Sequence, residues 1–501
     1  MRARASAASR ACFVTGSIMR HVLVMAGTGA IGLMAVFSVD MLNMIYIAHL
    51  GDPALTAAIG FAGAVGGIQI AVSIGLTIGL GASVGREIGA GHCPLARRIA
   101  SSVFLATFGV TLALGLLTAL LARPVLEMLG ASGAALDQAA FYLQITSPFL
   151  PFVSLGMASS ALMRAVGDAR GSMHVTLVGA MLTAVLDPVL ILGMHEGLMG
   201  AAASLVLSRL AVLGLGVRGA TAHHMLTWPR LSAFFPDVRR VGAIALPAIL
   251  TNLATPIGGA YVTAHMARFG LDAVGGQASV ERIVVVAFSF VFALTGAVGP
   301  IMSQNLGAGQ FDRVREVLLA SLKAVGTCVA VTWIVLMLCQ NLLVTGFHAV
   351  GEGAVLIHLF CSWTVLSYLF IGMLFVANTA FNNLGHPLYS TLFNWGRATL
   401  GTAPFVAFGA RFGAPGVQIG QALGCVVFGS VAIMCAFRVV GTLASRTGAQ
   451  MARIEKPVMA SDVPTLSAEA AMADLDGMDE EECEETALSA ERKVNRLSHS
   501  G

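Results

Sequence analysis

The chain has 501 residues, of which 56% are hydrophobic and 11% are charged, and its mean hydropathy is +0.82. An ordinary globular protein carries about 25% charged residues, so this composition excludes a soluble protein and indicates one embedded in a membrane. The formal net charge is only +3. No basic face with interleaved aromatic residues occurs, so we expect no nucleic-acid partner.

Apolar segments long enough to cross hydrocarbon, about 20 residues each, recur from His21 almost to Arg438. They lack the alternation of barrel strands and therefore predict helices. We count twelve, at residues 22–48, 54–80, 98–121, 138–163, 172–194, 198–218, 241–267, 273–302, 316–346, 355–383, 388–410 and 415–438. The first is too long for a signal peptide and contains Asp40, so we expect it to be retained.

Two short motifs recur at a single offset of 218 residues. Gly89-Ala90-Gly91 returns as Gly307-Ala308-Gly309, and each copy is followed by an arginine. Gly167-Asp168-Ala169 returns as Gly385-His386-Pro387. We interpret the glycine motifs as tight turns between helices. Because one repeat holds six spans, an even number, the two halves are predicted to be parallel repeats related by an axis along the membrane normal.

The predicted organisation is an all-α membrane protein of two pseudo-symmetric six-helix lobes. Its parts are an N-terminal segment (1–20), a first lobe (21–218), a linker (219–240), a second lobe (241–440) and a disordered tail (441–501). The tail holds an acidic block at residues 479–485. Such a block repels itself, and it acts either as a solubilising tail or as a regulatory partner site.

Basic residues predict the orientation, because cytoplasmic loops accumulate Lys and Arg. With the N-terminus inside, the outer loops hold only Arg123, Arg268 and Arg411. The inner segments hold Arg86, Arg97, Arg98, Arg164, Arg170, Arg218, Arg230, Arg239, Arg240, Arg313, Arg315 and Arg397. We therefore expect both termini to be cytoplasmic, in a multi-pass protein of the cell inner membrane.

Apart from Glu316, the first residue of its span, only three of the 26 acidic residues lie within predicted spans, namely Asp40, Asp187 and Glu281. A carboxylate at the bilayer centre costs about 2.5 to 3.5 kcal/mol, so each requires a partner, a water-filled cavity or a proton. Counted from the nearest outer turn, each lies roughly 15 Å inside its helix. This depth predicts that all three face one cavity at a similar level.

Asp187 is followed by Pro188, which cannot donate to the carbonyl of Ala184 and leaves that acceptor free one turn below the carboxylate. Thr183, four residues back, places a hydroxyl on the same helix face. These oxygens predict a site for a small hard cation or a proton-linked network. Alternatively, Asp187 satisfies a neighbouring helix through Arg209, which we place near mid-depth in the sixth span.

From about residue 18 to residue 438 the chain resembles the multidrug and toxic compound extrusion (MATE) transporters. The resemblance rests on the order and spacing of Val39-Asp40, Leu50-Gly51, Ala57-Ala58, Gly89-Ala90-Gly91, residues 162–168, Leu186-Asp187-Pro188, residues 197–202 and residues 303–309. It implies a twelve-helix, two-lobed exporter of bulky, usually cationic compounds, driven by inward Na⁺ or H⁺.

The resemblance also implies roles for individual residues. Asp40 and Asp187 stand at the positions of the family's cation-coupling acids. Thr183 stands where the family often has Asn, and Leu205 where it often has Thr. These two departures weaken the case for Na⁺ and place H⁺ slightly ahead as the coupling ion.

A substrate cavity is predicted from polar residues within the spans. We assign to it Glu281, Arg209, Asn252, Asn378 and Asn382. Glu281 either pairs with its neighbour Arg282 or binds a cationic substrate, and the asparagines otherwise serve as polar contacts between helices. The 23 Met and 26 Phe residues suit a soft wall for many apolar cations.

Competing functions are separated by what the spans contain. A flippase for lipid-linked precursors, the nearest alternative, would need several inward-facing Arg or Lys, and only Arg209 and Arg282 are candidates. A channel would need repeated selectivity loops, and the sequence has none. An enzyme would need a nucleophile with its base or a zinc motif, and we find no such residues within the spans. We expect no metal or other cofactor beyond the coupling ion, and a monomer whose partners are small organic compounds and membrane lipid.

Overall fold

A computed structural model describes residues 11–50, 52–194 and 196–454 of the chain. The first half consists of helices α1 (Ile18–His49), α2 (Pro53–Gly89), α3 (Cys93–Leu120), α4 (Ala122–Met128), α5 (Gly133–Thr146), α6 (Leu150–Ala165), α7 (Ala169–Asp187) and α8 (Gly197–Ala222). A π-helical turn, Pro188–Gly193, continues α7.

The second half repeats this arrangement with more interruptions. It contains α9 (Leu231–Met266), α10 (Leu271–Ala287), α11 (Ser289–Gly307), α12 (Phe311–Gly346), α13 (Gly351–Ser362), α14 (Tyr368–Asn383), α15 (Pro387–Ala398), α16 (Ala403–Gly409) and α17 (Gly413–Ile454). Helices α10 and α11 form one span that bends by 47°. The interhelical turns predicted at Gly91 and Gly309 are confirmed, with φ of +80° and +71°.

By length and composition, ten helical segments of the described chain could cross a membrane, or eleven if the bent α10–α11 pair is one span. One of the ten, Pro387–Leu443, is 57 residues long and contains two spans. Close backbone contacts join Gly409 to Gly416, Gly420 to Phe405 and Gly424 to Gly401. Residues that approach in this reversed order form an antiparallel hairpin, which yields the predicted twelve.

The lobes pack together at the end of the bundle that carries the linker and the turns at Gly91 and Gly309, here named the linker end. Glycines on α2 allow this approach. A Cβ on Gly89 would overlap the backbone of Gln304, and a Cβ on Gly79 would lie 2.8 Å from Cβ of Ala245. Small residues of this kind let helix backbones approach in a membrane, where packing rather than apolar burial drives association.

Two ion pairs at the linker end join the first lobe to the start of α9. Arg98 Nη2 lies 2.9 Å from Oδ1 of buried Asp237, whose other oxygen accepts from Ser102 Oγ at 3.1 Å. Arg240 pairs with buried Glu87 near the end of α2. Because both carboxylates are buried and both arginines are partly exposed, removing an arginine would take the counter-charge from a carboxylate that is out of water.

The helix ends differ from the predicted segment bounds, which stay predictions. Helix α8 runs to Ala222 and α9 begins at Leu231, within the predicted linker 219–240. Helix α17 continues to Ile454, past the predicted start of the tail at residue 441. The acidic block at residues 479–485 lies outside the described residues.

We predicted that Arg397 lies in an inner segment, and the structure does not place it there. It sits in the last turn of α15, about ten residues beyond Pro387 and therefore about 15 Å into the helix. There the chain breaks between α15 and α16. The error arose because this break is short and apolar, so hydropathy alone does not reveal it.

Candidate functional site

Asp40 and Asp187 lie close together within the first lobe. Asp187 ends α7 with only 1% of its surface exposed, whereas Asp40, on α1, is accessible. The two carboxylates are near enough for their charges to interact. The structure therefore brings together two acids that the sequence singled out, one of them exposed and the other buried.

Asn43, one turn after Asp40, binds the buried acid directly. Its Nδ2 donates to Asp187 Oδ2 at 2.8 Å. Buried Ser204, on α8, is a second neighbour of the Asp187 carboxyl. No bond of good geometry joins Ser204 Oγ to Asp187 Oδ1 within the described part of the chain, although the hydroxyl is near enough to donate to the carboxyl. Asn43 and Ser204 thus flank the carboxyl of Asp187.

The backbone beyond Asp187 is unusual. Pro188 opens the π-helical turn, in which Met194 N donates to Val189 O at 2.9 Å, five residues back. Proline cannot donate to the preceding turn, so the wider turn accommodates the missing bond. Gly200 on α8 packs against the backbone of Leu190. Single π-helical turns occur frequently at functional sites. This one begins directly after Asp187, the candidate coupling acid.

Thr183 and Arg209 are bound elsewhere. Thr183 Oγ1 donates to Gly179 O at 3.1 Å within its own helix. Arg209 Nη1 donates to Thr146 O at 2.6 Å, between α8 and α5. The alternative in which Arg209 pairs with Asp187 is therefore wrong, because Asn43 takes that place.

Tyr142, on α5, is a neighbour that sequence reasoning missed. It lies within electrostatic range of Arg209, Asp187 and Asp40 and packs against buried residues of α1 and the π-helical turn. The chain has only 5 tyrosines, so a tyrosine inside an apolar span was a usable signal. Its phenol adds a second uncharged hydrogen-bonding group beside the acid pair.

Glu281 belongs to the second lobe, on α10, and the prediction that it shares one cavity with Asp40 and Asp187 stays a prediction. Gln277 Nε2 donates to Glu281 Oε1 at 3.2 Å, and Tyr368 lies within electrostatic range. Arg282 turns away and donates from Nη2 to the sulfur of Met44 on α1, at 2.8 Å. No ion pair joins Glu281 to Arg282 among the described residues, so that alternative was wrong.

The predicted cavity asparagines make contacts typical of helix packing. Asn252 Nδ2 donates to Ala248 O at 2.7 Å on its own helix. Asn378 and Asn382 are linked to α15 through Ser390, whose hydroxyl donates to Asn378 O and to Asn382 Oδ1, each at 3.0 Å. Asn378 and Asn382 are buried. Of the three, only Asn382 has a side-chain bond to another helix, and the assignment of these asparagines to a substrate cavity stays a prediction.

Arg397 is a further polar group that was not assigned to the site. Its Nη2 donates to Thr255 Oγ1 on α9 at 3.3 Å, and its buried Nε has no partner within the described residues. Tyr368 lies within range of its charge. The second lobe therefore places a positive and a negative side chain, Arg397 and Glu281, around one tyrosine.

Comparison with known proteins identifies the family. The MatE family model matches residues 30–189 and 247–407, which is more than half of the chain in two segments at the repeat offset. An FAD transporter of Shewanella oneidensis is 28% identical over 79% of this chain and 89% of its own length. The multidrug export protein MepA of Staphylococcus aureus is 24% identical over 62% of this chain and 68% of its own length.

The fold comparison agrees with the sequence comparison. A crystal structure of a Vibrio cholerae MATE transporter in its bent form superposes with a TM-score of 0.80, at 21% identity, and covers 85% of this chain and 98% of that one. With the family model matched across both lobes, this chain belongs to the MATE family of multi-pass membrane transporters.

Proposed function

We propose that this protein exports organic compounds by exchanging them for protons, with Asp187 as the proton-carrying group and Asp40 as its accessible neighbour. The observation that carries the proposal is the burial of Asp187, which is 1% exposed and has no Lys, Arg or His within ion-pair distance in the described chain. A buried carboxylate without a counter-charge is costly. Binding a proton neutralises it.

Coupling by Na⁺ fits the same residues less well. A hard cation is held by several oxygen ligands, and Asn43 presents its NH₂ group, not its oxygen, to Asp187 Oδ2. Thr183 directs its hydroxyl proton to Gly179. No Lys, Arg or His lies within ion-pair distance of Asp40 or Asp187 in the described chain. A proton neutralises this region without further ligands.

The arrangement of the lobes supports alternating access. Close packing of α2 against α9 and α11 closes the linker end, and the arginine distribution predicts that this end is cytoplasmic in the inner membrane. Asp40, which is exposed in this structure, would then be reached from the outside. Protons entering from outside would reach Asp187 while substrate leaves, and separation of the lobes at the linker end would reverse the access.

The substrate class we propose is organic cations, because the accessible acids Asp40 and Glu281 would attract positive charge. The chain's 23 methionine and 26 phenylalanine residues are of types that adapt to ligands of different shapes. Similarity to the S. aureus multidrug export protein supports the same class.

A flavin dinucleotide is the second candidate. It is favoured by the similarity to the S. oneidensis FAD transporter, which extends over 89% of that protein. Arg282 and Arg397, neither in an ion pair within the described residues, offer positive charge for phosphate groups. FAD and an organic cation should therefore be tested side by side.

Transport by the full chain in liposomes tests the proposal. Ethidium and FAD are loaded separately, and a pH gradient or a Na⁺ gradient is imposed. We expect one of the two compounds to move against its gradient when a pH gradient is present, and Asp187→Asn to abolish that movement. Transport that follows the Na⁺ gradient alone would contradict proton coupling.

A further inference from the structure

The segment before α1, residues 11–17, crosses the linker end and contacts both lobes. The Cys12 thiol lies 3.7 Å from Val166 O, in the turn between α6 and α7. The next residue, Phe13, donates from its backbone N to Gln304 Oε1 at 2.9 Å, on α11. Two consecutive residues therefore contact opposite halves of the molecule.

Side chains of the second lobe donate hydrogen bonds to the backbone of this segment. Asn305 Nδ2 donates to Phe13 O at 3.2 Å. Arg313 Nη2 donates to Phe13 O at 3.0 Å and to Gly16 O at 3.1 Å, while its Nε is held by Asn305 Oδ1 at 2.9 Å. The guanidinium of Arg313 is thus bound by carbonyl oxygens of this segment, and such charge-assisted hydrogen bonds are among the stronger ones.

Gln304, on the second lobe, binds both the segment 11–17 and the first lobe. Its Oε1 accepts from Phe13, and its Nε2 donates to Ala165 O of the first lobe at 2.7 Å. Gln304 is completely buried, and Phe13 is 3% exposed. At Gly167 the φ angle is +88°, and a Cβ there would overlap the sulfur of Cys12. The turn is therefore shaped to receive the segment.

We propose that residues 11–17 form a latch that ties the two lobes at the linker end and favours the state in which this end is closed. The segment is covalently continuous with α1 and hydrogen-bonded to α11 and α12. Separating the lobes at this end breaks its contacts with Val166 or with Gln304, together with the bond from Gln304 to Ala165. This role of the latch depends on the proposed transport cycle, in which the lobes move apart at the linker end. The latch then sets how often the linker end opens.

Cys12 offers a readout that is independent of transport. Burial raises the pKa of the Cys12 thiol to about 11, so little reactive thiolate exists at neutral pH while the segment is docked. Release of the segment exposes the thiol and should increase its rate of alkylation. Maleimide labelling of the full chain, followed by mass spectrometry of the peptide that contains Cys12, measures this rate.

The test compares Arg313→Gln with Arg315→Gln. Arg315 lies on the same helix, is exposed and makes no hydrogen bond or ion pair within the described residues, so it is a matched control. Loss of the charge-assisted bonds should speed Cys12 labelling about tenfold in Arg313→Gln and leave Arg315→Gln unchanged. Equal labelling rates in the two variants and the unaltered protein would overturn the latch.

A second variant covers the case in which Arg313→Gln fails to reach the membrane. A chain that begins at Ile18 lacks the latch but keeps every helix that the structure describes. Hydrogen exchange of the backbone at residues 86–91 and 304–309 should be faster in this chain than in the full one, with α14 as the unchanged reference. Unchanged exchange would refute the latch even if proton-driven transport were intact, and faster exchange would support it even if proton coupling failed.

Discussion

Gly89 packs directly against the backbone of Gln304, and a Cβ on this glycine would overlap it. The reciprocal contact joins Gly307 to the backbone of Arg86. Adding the repeat offset of 218 to positions 89 and 86 gives positions 307 and 304. The two contacts are therefore equivalent, and the interface is isologous, as at a two-fold axis. Both glycines end helices at the same end of the bundle, so the axis runs along the helices, as parallel repeats require.

This contact predicts an asymmetry between two glycines of α2. Gly89→Ala should loosen the linker end, because the added methyl has no room, whereas Gly81→Ala should be tolerated, because a Cβ there meets no atom within 4 Å. Overpacking of a fitted contact costs typically about 1 to 3 kcal/mol. Thermal unfolding in detergent measures the difference, and equal melting temperatures for the two variants would contradict the packing.

The ion pair between Arg98 and Asp237 should help to hold the same end closed. Arg98→Leu leaves the buried carboxylate of Asp237 without its cation and should increase hydrogen exchange at residues 231–240. The double variant Arg98→Leu with Asp237→Leu removes both charges and should recover part of the loss, since an uncompensated buried charge costs more than an absent pair. Faster exchange in the double variant than in Arg98→Leu would show that the pair itself is strongly stabilising.

The orientation remains a prediction from the arginine asymmetry. Reporter fusions at Ser132, between α4 and α5, and at the C-terminus should report opposite sides of the membrane, with the C-terminal fusion cytoplasmic. Western blotting controls for equal expression. Fusions that report the same side would refute the predicted topology.

Asn43 should matter for coupling although it carries no charge. Asn43→Leu removes the hydrogen bond to Asp187 Oδ2, and a bond to a charged group contributes about 1.5 to 3 kcal/mol. We expect proton-driven transport to fall at least about tenfold, while Asn252→Leu, which removes a bond within one helix, has a smaller effect. Initial rates in liposomes at matched protein density compare the two, and the reverse order would exclude a coupling role for Asn43.

The sequence contained the spans, the repeat and the acid pair, because charge inside an apolar span is costly enough to be conspicuous. Asn43 and Ser204 were harder to find. Burying a single amide or hydroxyl in a span costs little free energy, so neither residue is conspicuous in the sequence. Ser204 comes near Asp187 only because α8 packs on α7. Arg397 was misplaced because the break after α15 lies inside a continuous apolar stretch. Rotations of helices and breaks within them depend on tertiary packing, which hydropathy does not record.

Proton release on substrate binding examines the coupling of Asp187 to export most directly. Purified protein in weakly buffered detergent is mixed with ethidium or FAD, and the pH is followed with a glass electrode. We expect the unaltered protein to release protons on binding, and Asp187→Asn to bind the same compound without releasing any. Equal proton release from Asp187→Asn and the unaltered protein would contradict the assignment of Asp187 as the proton carrier.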